Sequence, residues 1–188
     1  MKLIPEKRKQ EIREITNNLQ GKSLANIARE KNIFFTESDL SRMWGGISGV
    51  IMYHKDRDQF WIFIEEKDHP NRKRFTFAHE LGHYFLHKSD LKSGAWYFLD
   101  TEESFSLFRA TCPTQYQEID VEEIEKKKEK IREAEANYFA AEFLMPKDLV
   151  EKAYHELNYN IKELASFFRV SEQAMTFRLI HLSLLSNQ

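Results

Sequence analysis

The spacing of apolar positions changes character several times along the chain. Over residues 6–19, Ile12, Ile15 and Leu19 share one face among charges, which is the period of an amphipathic helix. "SLANIAREKNI" continues with Leu24, Ile27 and Ala28 at helical spacing, and Ser23 stands where an N-cap belongs. Helices are therefore expected across 1–40. Gly45, Gly46 and Gly49 then interrupt the pattern. Two runs rich in β-branched and aromatic residues follow, "GVIMYH" and "QFWIFIEE", with the polar "KDRD" between them. They predict a hairpin over 47–66. The second run is apolar on both faces, so both faces are expected to be covered.

"HPNRKR" reads as a loop, and a helix is predicted over 74–88. Residues 89–120 mix Ser, Gly, Asp and Pro with scattered aromatics, and predict an irregular insert over an apolar surface. "VEEIEKKKEKIREAEANYFAAEFLMP" predicts a long helix over 121–145. Its first half is a solvated mixed-charge face and its second half is buried. Pro146 ends it, because the residue before a proline resists the helical conformation. The tail reads as helix, tight turn, helix. Ile161, Leu164, Ala165 and Phe168 make one apolar face; Ser171 caps a second helix carrying Ala174, Met175, Leu179 and Leu182. The expected fold class is α+β, a small antiparallel sheet packed with two long helices. Residues 1–150 form the main domain, and 151–188 form a helical tail on or next to it.

The candidate chemistry lies in "FTFAHELGHYFLH", where His79, His83 and His87 stand four apart. A helix rises ~1.5 Å per residue, so neighbours at this spacing share a face about 6 Å apart. His79 and His83 can reach one metal ion. His87 is about 12 Å along the axis from His79, too far for a third bond of about 2.0–2.1 Å. It reads as an ordinary, partly buried histidine. Glu80 projects about 100° round the helix, beside the ion, where a general base takes a proton from water. "HELGH" is the His-Glu-x-x-His pattern of zinc peptidases. Gly82 leaves one wall bare for the close approach of another element.

The third ligand must come from elsewhere. In "REAEANYFAAEFLMP", Glu133 and Asn137 share a helical face. Glu133 completes a His, His, Glu set that leaves a fourth position to water, the catalytic arrangement rather than the structural one. Asn137 can accept a hydrogen bond from the outer nitrogen of a ligand histidine. Glu135, one step off this face, ranks second as third ligand. Tyr97, Tyr138 and His155 are candidate donors to a developing oxyanion. Glu142 reads as a surface or supporting carboxylate. Cys112 reads as a small buried apolar residue, with a thiolate on the open metal position as the alternative.

Composition narrows the field. The chain has 188 residues, 41% hydrophobic and 31% charged, with 28 Lys and Arg against 30 Asp and Glu. That suits a soluble globular protein with a real core. A net charge of −2 gives no global case for nucleic acid. In the tail the charges nearly cancel, and Gln173, Thr176 and Arg178 are its main polar contacts. DNA binding is thus not favoured over packing on the core or docking a partner. One cysteine permits no internal disulfide and fits a cytoplasmic setting. No apolar run approaches the roughly 20 residues a membrane span needs, so no membrane partner is expected.

"RFTFAHELGHYFLH" followed by "EAEANYFAAEFLMP" resembles the ImmA/IrrE family of zinc metallopeptidases, from about residue 45 to the C-terminus. The resemblance implies a minimal zincin-like, gluzincin-like fold. It implies one Zn2+ per chain on the positions matching His79, His83 and Glu133, with Glu80 as catalytic base. It also implies a role: site-specific cleavage of a helix-turn-helix repressor of the XRE type encoded nearby, relieving repression in a mobile-element, stress or defence response. The alternatives are a non-proteolytic anti-repressor or a DNA-binding regulator on the same fold. The segment between the two motifs looks longer than in compact members.

Overall fold

The computed structural model describes residues 4–42, 46–93, 97–101 and 121–185. Cys112 and residues 102–120 of the expected insert lie outside them. Among the described residues there are seven helices and four strands, an α+β fold. None of these helices is long and apolar enough to cross a membrane.

Helix α1, Glu6–Leu19, buries Ile12, Thr16 and Leu19. Helix α2, Leu24–Glu30, starts at Ser23, whose hydroxyl accepts from the Asn26 backbone N–H. The chain then leaves the helical pattern sooner than expected. Strand β1, Phe34–Ser38, occupies the end of the 1–40 segment. "FFTES" is short and has no alternation, so nothing local announces it. It forms because Phe34 to Ser38 pair with Trp61 to Glu65.

Strands β2, Ile47–His54, and β3, Gln59–Glu65, form the expected antiparallel hairpin. A single 3-10 turn, Lys55–Arg57, joins them, and Asp58 takes the left-handed conformation that closes it. Strand β4, Tyr97–Thr101, pairs antiparallel with β2. The order is β1-β3-β2-β4, with β1 parallel to β3. The sheet is therefore mixed, not wholly antiparallel. The two edges are β1 and β4, and β3 lies inside. Phe60, Ile62 and Ile64 of β3 are buried, whereas Trp61 and Phe63 are half-buried and meet the exposed Phe34. The expectation of two fully covered faces is corrected to one closed face and one half-open aromatic face.

Helix α3, Pro70–Ser93, is longer than the predicted 74–88 at both ends. The "HPNRKR" segment is its first turns, not a loop. Proline suits the first helical position, where its missing N–H would have no partner anyway. The His69 ring accepts from the Asn71 N–H at 3.2 Å and so serves as the cap. Residues 89–93 and β4 likewise replace part of the expected irregular insert with regular structure.

Helix α4, Val121–Leu144, lies along α3. Residues 126–130 are exposed, and nearly every residue from 133 to 144 is buried. Helices α5, Lys147–Glu156, α6, Ile161–Phe168, and α7, Glu172–His181, complete the chain. Asn160 caps α6 and Ser171 caps α7 through their side-chain oxygens. Leu164, Phe168, Met175 and Leu179 belong to the same apolar cluster as Leu81 of α3 and Phe139 of α4. Arg178, a candidate polar contact of the tail, is fully buried. Its guanidinium donates to both Glu142 carboxylate oxygens, at 3.0 and 2.8 Å, and to the Met145 carbonyl at 2.9 Å. It holds α7 on α4, so it is not presented to a nucleic acid, and Glu142 is a buried partner rather than a surface group.

Candidate metal centre

Two glycines make the centre possible. A Cβ on Gly82 would lie 3.1 Å from both Cα and the carbonyl oxygen of Ala136, and 3.2 Å from Cβ of Phe139. Only the bare helix wall lets α3 and α4 approach this closely. On the other side of α3, a Cβ on Gly49 of β2 would run into Thr76 Cγ2 and stand 3.0 Å from Glu80 Oε1. The strand backbone therefore lies directly against the Glu80 carboxylate.

Across the α3–α4 seam three side chains converge. His79 Nε2 and His83 Nε2 are 2.9 Å apart. Glu133 reaches them from α4, with Oε2 3.3 Å from His79 Nε2 and Oε1 3.2 Å from His83 Nε2. All three residues are buried. The outer nitrogen of His79 faces Asn137 Oδ1 at 3.0 Å, so Nδ1 carries the proton and Nε2 keeps its lone pair for the cluster. Burial drives the His83 imidazole down to about 4, against the pull of Glu133, so the ring is uncharged at neutral pH. Burial would raise Glu133, but the two histidines opposite hold its carboxyl below the ordinary range.

Bare imidazole nitrogens and a carboxylate facing one another form an acceptor-rich pocket. No hydrogen bond reaches Glu133 Oε2 among the described residues. A cation bound to all three would satisfy these atoms. Four ligands at about 2.0–2.1 Å round a tetrahedral ion stand about 3.3 Å from one another. The three separations here, 2.9, 3.2 and 3.3 Å, match that figure to within a few tenths. The residues fit a metal, and among the described residues His79, His83 and Glu133 form a group able to hold one.

The other candidates are distributed as follows. Glu80 is buried on α3, one residue beyond His79, against β2. Tyr138 points to α1, where its hydroxyl accepts from Arg13 Nη1 at 3.0 Å. Burial and a hydrogen bond to Glu142 raise its pKa. His155 is exposed on α5 and pairs with the Tyr159 hydroxyl at 3.0 Å. Tyr97 lies on β4 opposite Met52, and its side chain is outside the described atoms. The described contacts of Tyr138 and His155 do not bring either to the His79–His83–Glu133 group.

Sequence reasoning passed over one contact set. His87 is buried, its Nδ1 3.1 Å from His83 Nδ1 and its Nε2 3.0 Å from Glu135 Oε2. Glu135, second choice for the third ligand, instead serves His87 and accepts from Arg8 Nη2 of α1 at 2.8 Å. Burial would raise its carboxyl, but the hydrogen bonds from His87 and Arg8 outweigh that and lower it. The i,i+4 step from His83 to His87 was the available signal; the partner on α4 was not visible without the fold.

A buried His, His, Glu group between two helices, backed by a small sheet, defines an α+β protein with a metal-binding type of site. The chain belongs to the family described as the IrrE N-terminal-like domain, Peptidase_M78, whose model matches residues 48–180. It is 24% identical over 159 residues to Metallopeptidase ImmA of Bacillus subtilis (strain 168), covering 84% of this chain and 75% of that protein. Its fold is similar to that of a Mycobacterium tuberculosis transcriptional regulator, with a TM-score of 0.59 and 18% identity. That match covers 94% of this chain but 47% of the regulator, so the chain spans about half of that structure.

Proposed function

We propose that this protein is a zinc-dependent endopeptidase that cleaves a regulatory protein at a specific site. The substrate is a helix-turn-helix repressor of the XRE type, encoded nearby. The observation that carries the reading is the convergence of His79 Nε2, His83 Nε2 and the Glu133 carboxylate at separations of 2.9–3.3 Å beside the buried Glu80. The likeness to a metallopeptidase supports the reaction, and the fold shared with a transcriptional regulator is compatible with a regulatory setting.

Each residue has a task. His79, His83 and Glu133 would hold the ion, two neutral rings and one carboxylate leaving net charge +1 on a divalent metal. Bound there, zinc would supply Lewis acidity toward a water and a carbonyl. Glu80 takes a proton from the attacking water and passes it to the leaving amine. Asn137 fixes the tautomer of His79. β2 lies against Glu80 at Gly49, where there is no side chain to displace the carboxylate. Three protein ligands among the described residues would leave a position for water, the catalytic rather than the structural type.

The test is Glu80→Gln, which keeps the shape and removes the base. One zinc per chain is expected to remain, by metal analysis of the purified protein, while cleavage of the co-expressed repressor stops. Cleavage at the native rate would falsify the assignment of the base.

A further inference from the structure

We propose that helix α1 belongs to the metal site. Arg8, Glu135 and His87 form a relay that positions His83 and presents its Nε2 to the metal. The proposal rests on the metal reading above and extends it to residues outside the ligand set. Arg8 lies ahead of residue 48, where the family match begins.

The chain of contacts runs Arg8 Nη2 to Glu135 Oε2, 2.8 Å; Glu135 Oε2 to His87 Nε2, 3.0 Å; His87 Nδ1 to His83 Nδ1, 3.1 Å. Its direction follows from elimination. A neutral imidazole has one N–H and one bare nitrogen. If His83 Nε2 is bare toward Glu133 and His79, its proton is on Nδ1 and points at His87. His87 must then accept through a bare Nδ1, which puts its own proton on Nε2, toward Glu135. A carboxylate accepts there, and the Arg8 guanidinium neutralises it. Every donor in the relay meets an acceptor, and the reversed arrangement would aim a proton from His83 into the cluster.

The two ligand histidines are thus supported differently. His79 leans on one amide oxygen of α4. His83 leans on a second histidine of its own helix, anchored by a carboxylate of α4 and an arginine of α1. These are positioning residues, since none of them faces the three ligand atoms directly.

Zinc affinity, measured by competition with a chelator on the full chain, tests the relay, with the thermal midpoint of the metal-free protein recorded beside it. His87→Phe fills the space and accepts no proton from His83; affinity is expected to fall about 10–100-fold, the usual cost of losing a supporting partner of a metal ligand. His87→Gln offers an amide oxygen to His83 Nδ1 and should recover part of that loss. Glu135→Gln should weaken affinity less than His87→Phe, and Arg8→Met, at the half-exposed end, least of all. If His87→Phe binds zinc as the native protein does, or if His87→Gln is no better than His87→Phe, the relay is wrong. A fall in thermal midpoint with unchanged affinity would likewise make these residues packing alone. Glu135→Gln and Arg8→Met carry the test should either His87 variant not fold: affinity equal to native in both overturns the relay. A native protein that binds no zinc would overturn the metal reading itself. Native binding with native-like variants overturns only the relay.

Discussion

Two of the buried carboxylates of helix α4, Glu142 and Glu133, stand on opposite sides of a question that any buried charge poses: who neutralises it? At Glu142 the answer is complete. Arg178 donates to both oxygens, at 3.0 and 2.8 Å, and its Nε goes to the Met145 carbonyl. The Tyr138 hydroxyl is a further hydrogen-bond partner of Glu142, so every acceptor there has a donor. At Glu133, about 13 Å away along the helix axis, the facing atoms are two imidazole nitrogens 3.2 and 3.3 Å off, themselves 2.9 Å from each other. There the acceptors outnumber the protons. One cluster closes on itself and holds α7 to the core; the other is left with lone pairs converging on a point. Burial and charge are alike in the two. The surplus of acceptors separates a structural ion pair from a site.

The strongest way to break the comparison is to remove one acceptor. Glu133→Ala should abolish zinc binding, measured by metal content and chelator competition, with a loss beyond the roughly 10–100-fold that supporting residues cost. If Glu133→Ala keeps native affinity, the convergence is not a ligand set. Arg178→Met should do the reverse. Leaving Glu142 buried without its counter-charge is expected to cost about 3–5 kcal/mol of folding stability in denaturant titration. Zinc affinity of the folded protein should not change. Adding Glu142→Met should recover most of that loss, because a buried pair can be replaced by packed apolar groups at little net cost.

Proton uptake distinguishes the clusters next. The His83 ring is held at about 4 by burial, against an ordinary 6.5. Glu133, His79 and His87 face it, Glu133 pulling up and the other two down. Between those values the unfolded chain binds a proton that the folded chain does not. Stability of the metal-free protein is then full above about 6.5 and falls as pH drops toward 4. From pH 6.5 to 5 the loss should be about 2 kcal/mol, at about 1.36 kcal/mol per unit. Denaturation of metal-free native protein and His83→Gln at pH 7 and 5 measures it: the variant should lose less on acidification. Equal losses would show that the ring does not stay neutral on folding.

Much of this was legible in the chain, and the illegible parts share a cause. The i,i+4 spacing of His79 with His83, and of Glu133 with Asn137, is local information, so the two faces that meet could be read before the fold was known. The hairpin, the Pro146 stop and the Ser23 and Ser171 caps are equally local. β1 was missed because "FFTES" owes its conformation to β3, nearly thirty residues on. Arg178 looked like a surface contact because the carboxylate that buries it lies on another helix. His87 looked incidental for the same reason: Glu135 is close only after α3 and α4 have packed. The antiparallel expectation failed at β1 alone, since a parallel partner cannot be inferred from a hairpin next door.

The seam between α3 and α4 gives the smallest expected effect and the sharpest discrimination. Gly82→Ala gains helix propensity, about 1 kcal/mol. It also places a methyl 3.1 Å from the backbone of Ala136, which cannot move aside as a side chain could. Overpacking of this kind costs about 1–3 kcal/mol, so the net change should be a destabilisation of about 1 kcal/mol. Because the strain falls between His83 and Glu133, the variant should bind zinc more weakly than its stability loss alone predicts. Arg178→Met, the larger perturbation of stability, should leave zinc affinity untouched. If Gly82→Ala binds zinc as tightly as the native protein, the close approach of the helices is only packing, and the ligand separations owe nothing to the bare wall at Gly82.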